Sequence, residues 1–327
     1  MQGDLLEQAC WLLLADDSVI TPVNAHIVLE RWYKVGQQSL QAFFTATPEE
    51  WRTICQFKEK EIDKLEAARE RLPEQVALAE QLASEDIHFL TVLDDAYPEA
   101  LSKGLQEQQK PPVLFYQGDL GILERKTIAI IGSRNANDES LAFTREVAHY
   151  LAAQGANIIS GNARGVDRSA YEGATSANGY TTVVLPHGIH ELSGKQRQEL
   201  QPKIEAGKVL LLSQFCPNAV WTTGRAMARN KVVTGLAEVV IVAQSDTKGG
   251  TWAGARGALK QGRPLYVRYT PGEELPGNEA LINQGGKKLP WPGTDFAQVF
   301  AALPAKSEDI AQPDEAEPVV GQLSLGW

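Results

Sequence analysis

The sequence predicts an α/β fold: a parallel sheet covered on both faces, preceded by a small helical N-terminal domain. Three observations carry this. Between Thr127 and Tyr269, short β-branched runs alternate with helical stretches. Those runs are apolar almost throughout, as strands buried on both faces must be. The first 84 residues instead repeat apolar side chains at helical spacing.

In chain order, Leu5, Leu6, Ala9, Leu12 and Leu13 mark one amphipathic helix, and Ala25, Ile27, Val28, Leu29 and Trp32 a second. Phe57, Ile62, Leu65 and Ala68 mark a third, stopped at Leu72-Pro73. A helix over Pro73–Ser84 leads into a strand, Ile87–Leu93, closed by the turn Asp94 to Pro98. The sheet strands come next as Thr127–Ile131, Asn157–Ser160, Thr181–Leu185, Val209–Ser213, Glu238–Ala243 and Pro264–Arg268. The helices between them are expected near Glu139–Gln154, Val166–Asn178, Lys195–Ala206, Thr223–Thr234 and Thr251–Gln261, the first ending at Gly155 as C′ glycine. From Pro304 to Pro318 the chain is rich in Pro, Glu, Asp and Ala, which reads as a linker. The expected divisions are a helical domain over 1–84, an α/β core over 85–300 and an acidic tail over 301–327.

The 327 residues are 43% hydrophobic and 22% charged, ordinary values for a globular chain. No apolar run reaches the ~18 residues of a membrane span, and the acidic N-terminus lacks a signal's basic region, so a cytoplasmic location is expected. Cys10, Cys55 and Cys216 are scattered, fitting small apolar roles in a reducing compartment, with no metal site expected. The net charge of −10 would argue against a polyanionic partner if it were evenly spread. It is not: residues 1–109 carry −11, residues 110–300 carry +5 and residues 301–327 carry −4.

Ligands of parallel sheets bind at the carboxyl ends of the strands, so the residues just past each strand matter most. After the first comes Gly132-Ser133-Arg134, offering close backbone approach, a hydroxyl and a planar donor fork. It matches neither a dinucleotide fingerprint nor a Walker loop, so no cofactor is expected. After the second come Ser160, Gly161, Arg164, Gly165 and Asp167, where Asp167 could cap the next helix. Arg225 and Arg229 stand four apart on one helical face, beside Asn230 and Lys231 and with no acid among them, which suits phosphates or a base edge. Lys248, Gly249, Gly250 and Thr251 then open a helix as an anion nest. Any one of these could be a plain turn, cap or solvated face. Four donor-rich segments on one sheet point together to a phosphate-bearing ligand.

With these residues assembled, the chain resembles the DNA-processing protein A family, also called DprA or Smf, from about Ile87 to Val267. Asp94, Tyr97 and Pro98 match its D-x-x-Y-P element, and Pro111, Pro112, Leu114, Phe115 and Gly118 its P-P-x-L-F-x-x-G element. Gly132 to Arg134, Ser160 to Asp167, Arg229 to Leu236 and Gly249 to Thr251 succeed one another in the family's order. The resemblance implies a Rossmann-like core that binds single-stranded DNA, often as a homodimer, and helps load a RecA-type recombinase in DNA uptake, recombination or genome defence. Its small helical domain, of sterile-alpha-motif or helix-hairpin-helix type, is similar to residues 1–84. Carried over, Gly132, Ser133 and Arg134 would hold one phosphate, Ser160, Gly161 and Gly165 would shape the adjoining loop, and Arg229, Asn230, Lys231 and Lys248 would line the basic pocket. Asn162, Lys231 and the segment Gly249–Ala255 depart from the family pattern, and the tail is too short for the winged helix many members carry.

The core type also occurs in phosphoribohydrolases, whose glycine loop is followed by a working glutamate. Here Trp252, Ala253, Gly254 and Ala255 stand in that place, leaving Asp167 as the only carboxylate candidate, so binding is favoured over catalysis and a nucleotide sensor or hydrolase is the alternative. Gln322, Leu323, Leu325 and Trp327 resemble peptides that dock in the bacterial sliding clamp, although the same apolar residues could pack back on the domain.

Overall fold

The structure is a computed structural model that describes residues 5–301. Gln322, Leu323, Leu325 and Trp327 lie outside the described residues.

Among the described residues, nine strands form one sheet: β1 (His88–Thr91), β2 (Val113–Gln117), β3 (Thr127–Ile131), β4 (Asn157–Ser160), β5 (Tyr180–Leu185), β6 (Val209–Ser213), β7 (Val239–Val242), β8 (Leu265–Tyr269) and β9 (Lys287–Pro290). Their order is β1-β2-β6-β5-β4-β3-β7-β8-β9. From β3 to β9 every pairing is parallel, while β2 pairs antiparallel with both β6 and β1. The six strands of the core stand where the sequence puts them. The sheet is mixed rather than wholly parallel because β1 and β2 add to its edge, and β2 and β9 extend it beyond the expected strands.

Helices cover both faces. The main ones are α1 (Leu5–Ala15), α2 (Leu72–Ser84), α3 (Asp138–Ala153), α4 (Val166–Ser176), α5 (Gly194–Glu205), α6 (Thr223–Leu236) and α7 (Gly250–Lys260). Strand side chains alternate between faces. On β3, Ile128 and Ile130 pack under α3 and α4, whereas Ala129 and Ile131 face α6 and α7. Helix α3 ends as expected at Gly155, whose φ of +84° favours glycine.

The helices before β1 share their core with the sheet. Leu12, Leu13, Trp32, Phe43 and Trp51 belong to one buried cluster with Val113 and Phe115 of β2, Val183 of β5 and Leu211 of β6. Apolar burial stabilises by about 25 cal/mol per Å², and this half of the sheet face finds its cover in residues 5–84.

The strand order fixes where a ligand can enter. From β3 the chain winds outward through β4 and β5 to β6, then returns to β7 on the other flank of β3. The loops after β3 and β7 therefore diverge, opening the crevice that open α/β sheets use for ligands.

Candidate functional site

At that crevice lies a cleft of about 430 Å³. Ten of the sixteen residues proposed from sequence line it: Gly132, Ser133, Arg134, Asp167, Arg229, Asn230, Lys248, Gly249, Gly250 and Thr251. Ser160, Gly161, Arg164, Gly165, Arg225 and Lys231 are not among the lining residues.

The loops are stitched together by their own backbones. Ser133 donates its N–H to Gln244 O at 2.9 Å, tying the loop after β3 to the one after β7. Val166 N–H reaches Ser133 O at 3.3 Å, tying it to the loop after β4. A Cβ on Gly132 would sit 2.4 Å from a methyl of Val166, so this glycine serves loop packing. Gly165 has φ of +87°, and its Cβ would sit 2.4 Å from Ser133 O. Arg164 is exposed and bonds back to Arg134 O and Asn135 Oδ1, bracing the first loop from outside the cleft. Asn162 takes φ of +50°, a conformation asparagine tolerates well.

Below the loops sits an ion pair. Arg229 is 3% exposed, and its Nη2 lies 3.7 Å from Asp167 Oδ2. Its Nη1 donates to Val184 O at 2.9 Å. Asp167 accepts the Gly161 N–H at 3.2 Å. The expected cap role therefore fails: the N-cap of α4 is Gly165, with no side-chain cap bond. Burial pushes the Asp167 carboxyl upward, against the opposing pull of Arg229 and the backbone N–H groups. Burial likewise draws the Arg229 guanidinium down, against Asp167. Dehydration is the larger influence on each partner. Ser160 is fully buried.

Arg225 is a correction to the expected basic face. Its Nε donates to Asp17 Oδ2 at 2.9 Å, its Nη2 bonds Asp17 Oδ1, and its Nη1 donates to Val220 O at 2.6 Å. The acid that sequence spacing did not show comes from the N-terminal region. Lys231 is exposed away from the cleft.

Among the described residues, the exposed cations on the cleft are Arg134 and Lys248. Gly249, with φ of +90°, is the N-cap of α7, and Gly249, Gly250 and Thr251 line the cleft, so the N-terminal end of that helix lies at the opening. Against Arg134, Arg229 and Lys248 stand Asp167 and Asp246, so the cleft is only mildly positive. The sequence reading missed Trp221 and Met227, which also line it and are 48% and 40% exposed. Trp221 stands in a loop without periodicity, and no spacing rule marks it.

Comparison with known proteins agrees with this architecture. The profile of the family described as DNA recombination-mediator protein A matches residues 88–300. The DNA processing protein DprA of Streptococcus pneumoniae is 30% identical over 213 residues, covering 64% of this chain and 73% of that protein. The Bacillus subtilis DprA is 29% identical over 208 residues, covering 62% and 68%. The solved Streptococcus pneumoniae DprA superposes with a TM-score of 0.67 at 24% identity, over 88% of this chain and 95% of that one, a likeness of fold. DNA processing protein A of Helicobacter pylori, solved for its single-stranded DNA binding mode, gives a TM-score of 0.53 at 30% identity, over 62% and 90%. A match across most of the sheet and every loop of the cleft means that this chain belongs to the DNA recombination-mediator protein A family.

Proposed function

We propose that the protein binds single-stranded DNA, with backbone phosphates held in the cleft by Arg134, Lys248 and the N–H groups that open α7. The observation that carries this is convergence: donors just past β3 and β7 meet at one opening, while the buried Asp167–Arg229 pair neutralises itself beneath them. Single-stranded DNA as the ligand is supported by the Helicobacter pylori relative, whose binding mode is for that ligand. Of the two carboxylates that line the cleft, Asp167 is paired with an arginine and Asp246 is exposed, so the reading is one of binding rather than of acid–base chemistry.

Fluorescence anisotropy with a labelled oligothymidylate tests it. Arg134→Ala and Lys248→Ala are each expected to weaken binding across sequences, as loss of phosphate contacts does. Wild-type affinity in both variants would overturn the assignment.

One observation favours a second reading. A cleft of about 430 Å³ falls within the ~300–1,000 Å³ of small-molecule sites, so a free nucleotide could fill it. Thermal stabilisation by a mononucleotide but not by an oligomer would reverse the order of the two.

The remaining features of this reading are a cytoplasmic homodimer, a RecA-type recombinase partner, a role in uptake, recombination or defence, and clamp docking through Gln322, Leu323, Leu325 and Trp327. Light scattering tests the dimer and pull-down with the recombinase tests loading. Calorimetry against the clamp, before and after deleting residues 322–327, tests the peptide.

A further inference from the structure

The cleft carries the cations Arg134 and Lys248 and also the apolar side chains Trp221 and Met227. Trp221 and Met227, 48% and 40% exposed, both line it, and Val220, 57% exposed, precedes Trp221 in the chain. The guanidinium carbon of Arg134 lies 5.9 Å from the centroid of the Trp221 ring. Arg134 thus stands over one side of a ring that is still half exposed, so a phosphate donor and an aromatic surface are neighbours on the rim.

The loop carrying Trp221 is held in place. Gly188 N–H donates to Ala219 O at 2.8 Å, and Ala219 N–H donates to Cys216 O at 2.8 Å. Arg225 Nη1 grips Val220 O, and Asp17 in turn grips Arg225. A large apolar ring kept half in water by a braced loop loses the gain of burial until something flat covers it.

We propose that Trp221 is the stacking platform for an unpaired nucleobase of the bound strand, with Met227 beside it and the adjoining phosphate on Arg134. The proposal rests on the phosphate-cleft reading above and assigns the ligand's base to a named residue. A base that lies on Trp221 has left its partner strand, so the platform selects single strands by its shape and accepts any base. It also supplies affinity that the mildly positive cleft does not.

The test compares a short oligothymidylate with an abasic oligomer of equal length, which keeps the phosphates and lacks the bases. Trp221→Ala is expected to weaken the oligothymidylate about five- to a hundredfold and to leave abasic affinity unchanged. Trp221→Phe keeps most of the affinity, but abolishes the part of the fluorescence quenching on binding that comes from this one of the seven tryptophans. Unchanged oligothymidylate affinity in Trp221→Ala overturns the platform, as does an equal loss on both oligomers, which would mark a role in loop structure. Arg134→Ala is expected to weaken both oligomers. If it does so while Trp221→Ala is silent, only the platform falls. If Arg134→Ala and Lys248→Ala are both silent on both oligomers, or if the wild type binds neither, the phosphate reading falls and the platform with it.

Discussion

Gly161 and Arg229 fit each other so closely that a Cβ on the glycine would stand 1.2 Å from the arginine's Nη1. Arg229 has nowhere to retreat without losing Val184 O and leaving the Asp167 carboxylate buried alone. Breaking a buried pair from one side costs about 3–5 kcal/mol. Gly161→Ala is therefore expected to lower stability to urea by an amount of that order, and Arg229→Ala likewise. Arg134→Ala, on the surface, should leave stability within about 0.5 kcal/mol of wild type. An unchanged urea midpoint in Gly161→Ala would contradict the structural role of Arg229.

The bond from Arg225 to Val220 makes the rim depend on a residue far away in sequence. Asp17→Asn weakens the grip on Arg225, and Arg225→Ala removes it. Both are expected to speed amide exchange in residues 219–223 while α6 beyond Ala226 stays protected. Hydrogen-exchange mass spectrometry reads this directly, and equal protection in wild type and both variants would refute the linkage.

Salt dependence measures how few phosphates the cleft can hold. Each phosphate contact on a single strand adds about −0.7 to the slope of log K against log salt. With Arg134 and Lys248 as the exposed cations, the cleft accounts for a slope near −1.4 at two such contacts. Lys248→Ala should make the slope shallower by about 0.7. A much steeper wild-type slope would place further phosphate contacts outside the cleft.

Acid should loosen the ion-paired link between α4 and α5. Arg168 bonds Glu172 at 2.8 Å and Glu199 at 2.8 Å, joining these helices. The hydrogen bond from Arg168 holds the Glu199 carboxyl below its ordinary value of 4.5. A carboxyl lowered on folding stabilises the protein at pH above its unfolded value, and that contribution is lost as pH falls through the folded value. Wild type is expected to lose stability on acidification below 4.5, and Glu199→Gln to lose less, compared by urea midpoints at about pH 6 and about pH 3.

The range of the forces involved decides which parts were legible in the sequence. The β3 to β8 strands announce themselves because burial on both faces demands unbroken apolar runs such as Ile128–Ile131. The neighbouring loops of the cleft result from the adjacency of β3 and β4. β9 was hidden because Lys287 and Lys288 face water on an edge strand. The fates of the two α6 arginines were hidden for another reason. Helical spacing puts Arg225 and Arg229 on one face, but Asp17 lies 208 residues from Arg225 and Val184 lies 45 from Arg229. Partners at such separations leave no local pattern.

The antiparallel pairing of β2 with β6 also orders events in time. Phe115 meets Ser213 across nearly a hundred residues of intervening chain. Contacts between distant segments form late because closing a long loop costs entropy before it returns any contact. During synthesis, the segment ending at β2 must wait for β6 to emerge before its edge is paired and its apolar face sealed. The ribosome-bound chain therefore carries the β6-facing edge of β2 unpaired through more than a quarter of its translation, with only the earlier helices to cover Val113 and Phe115, and it is in this interval that a chaperone would find it.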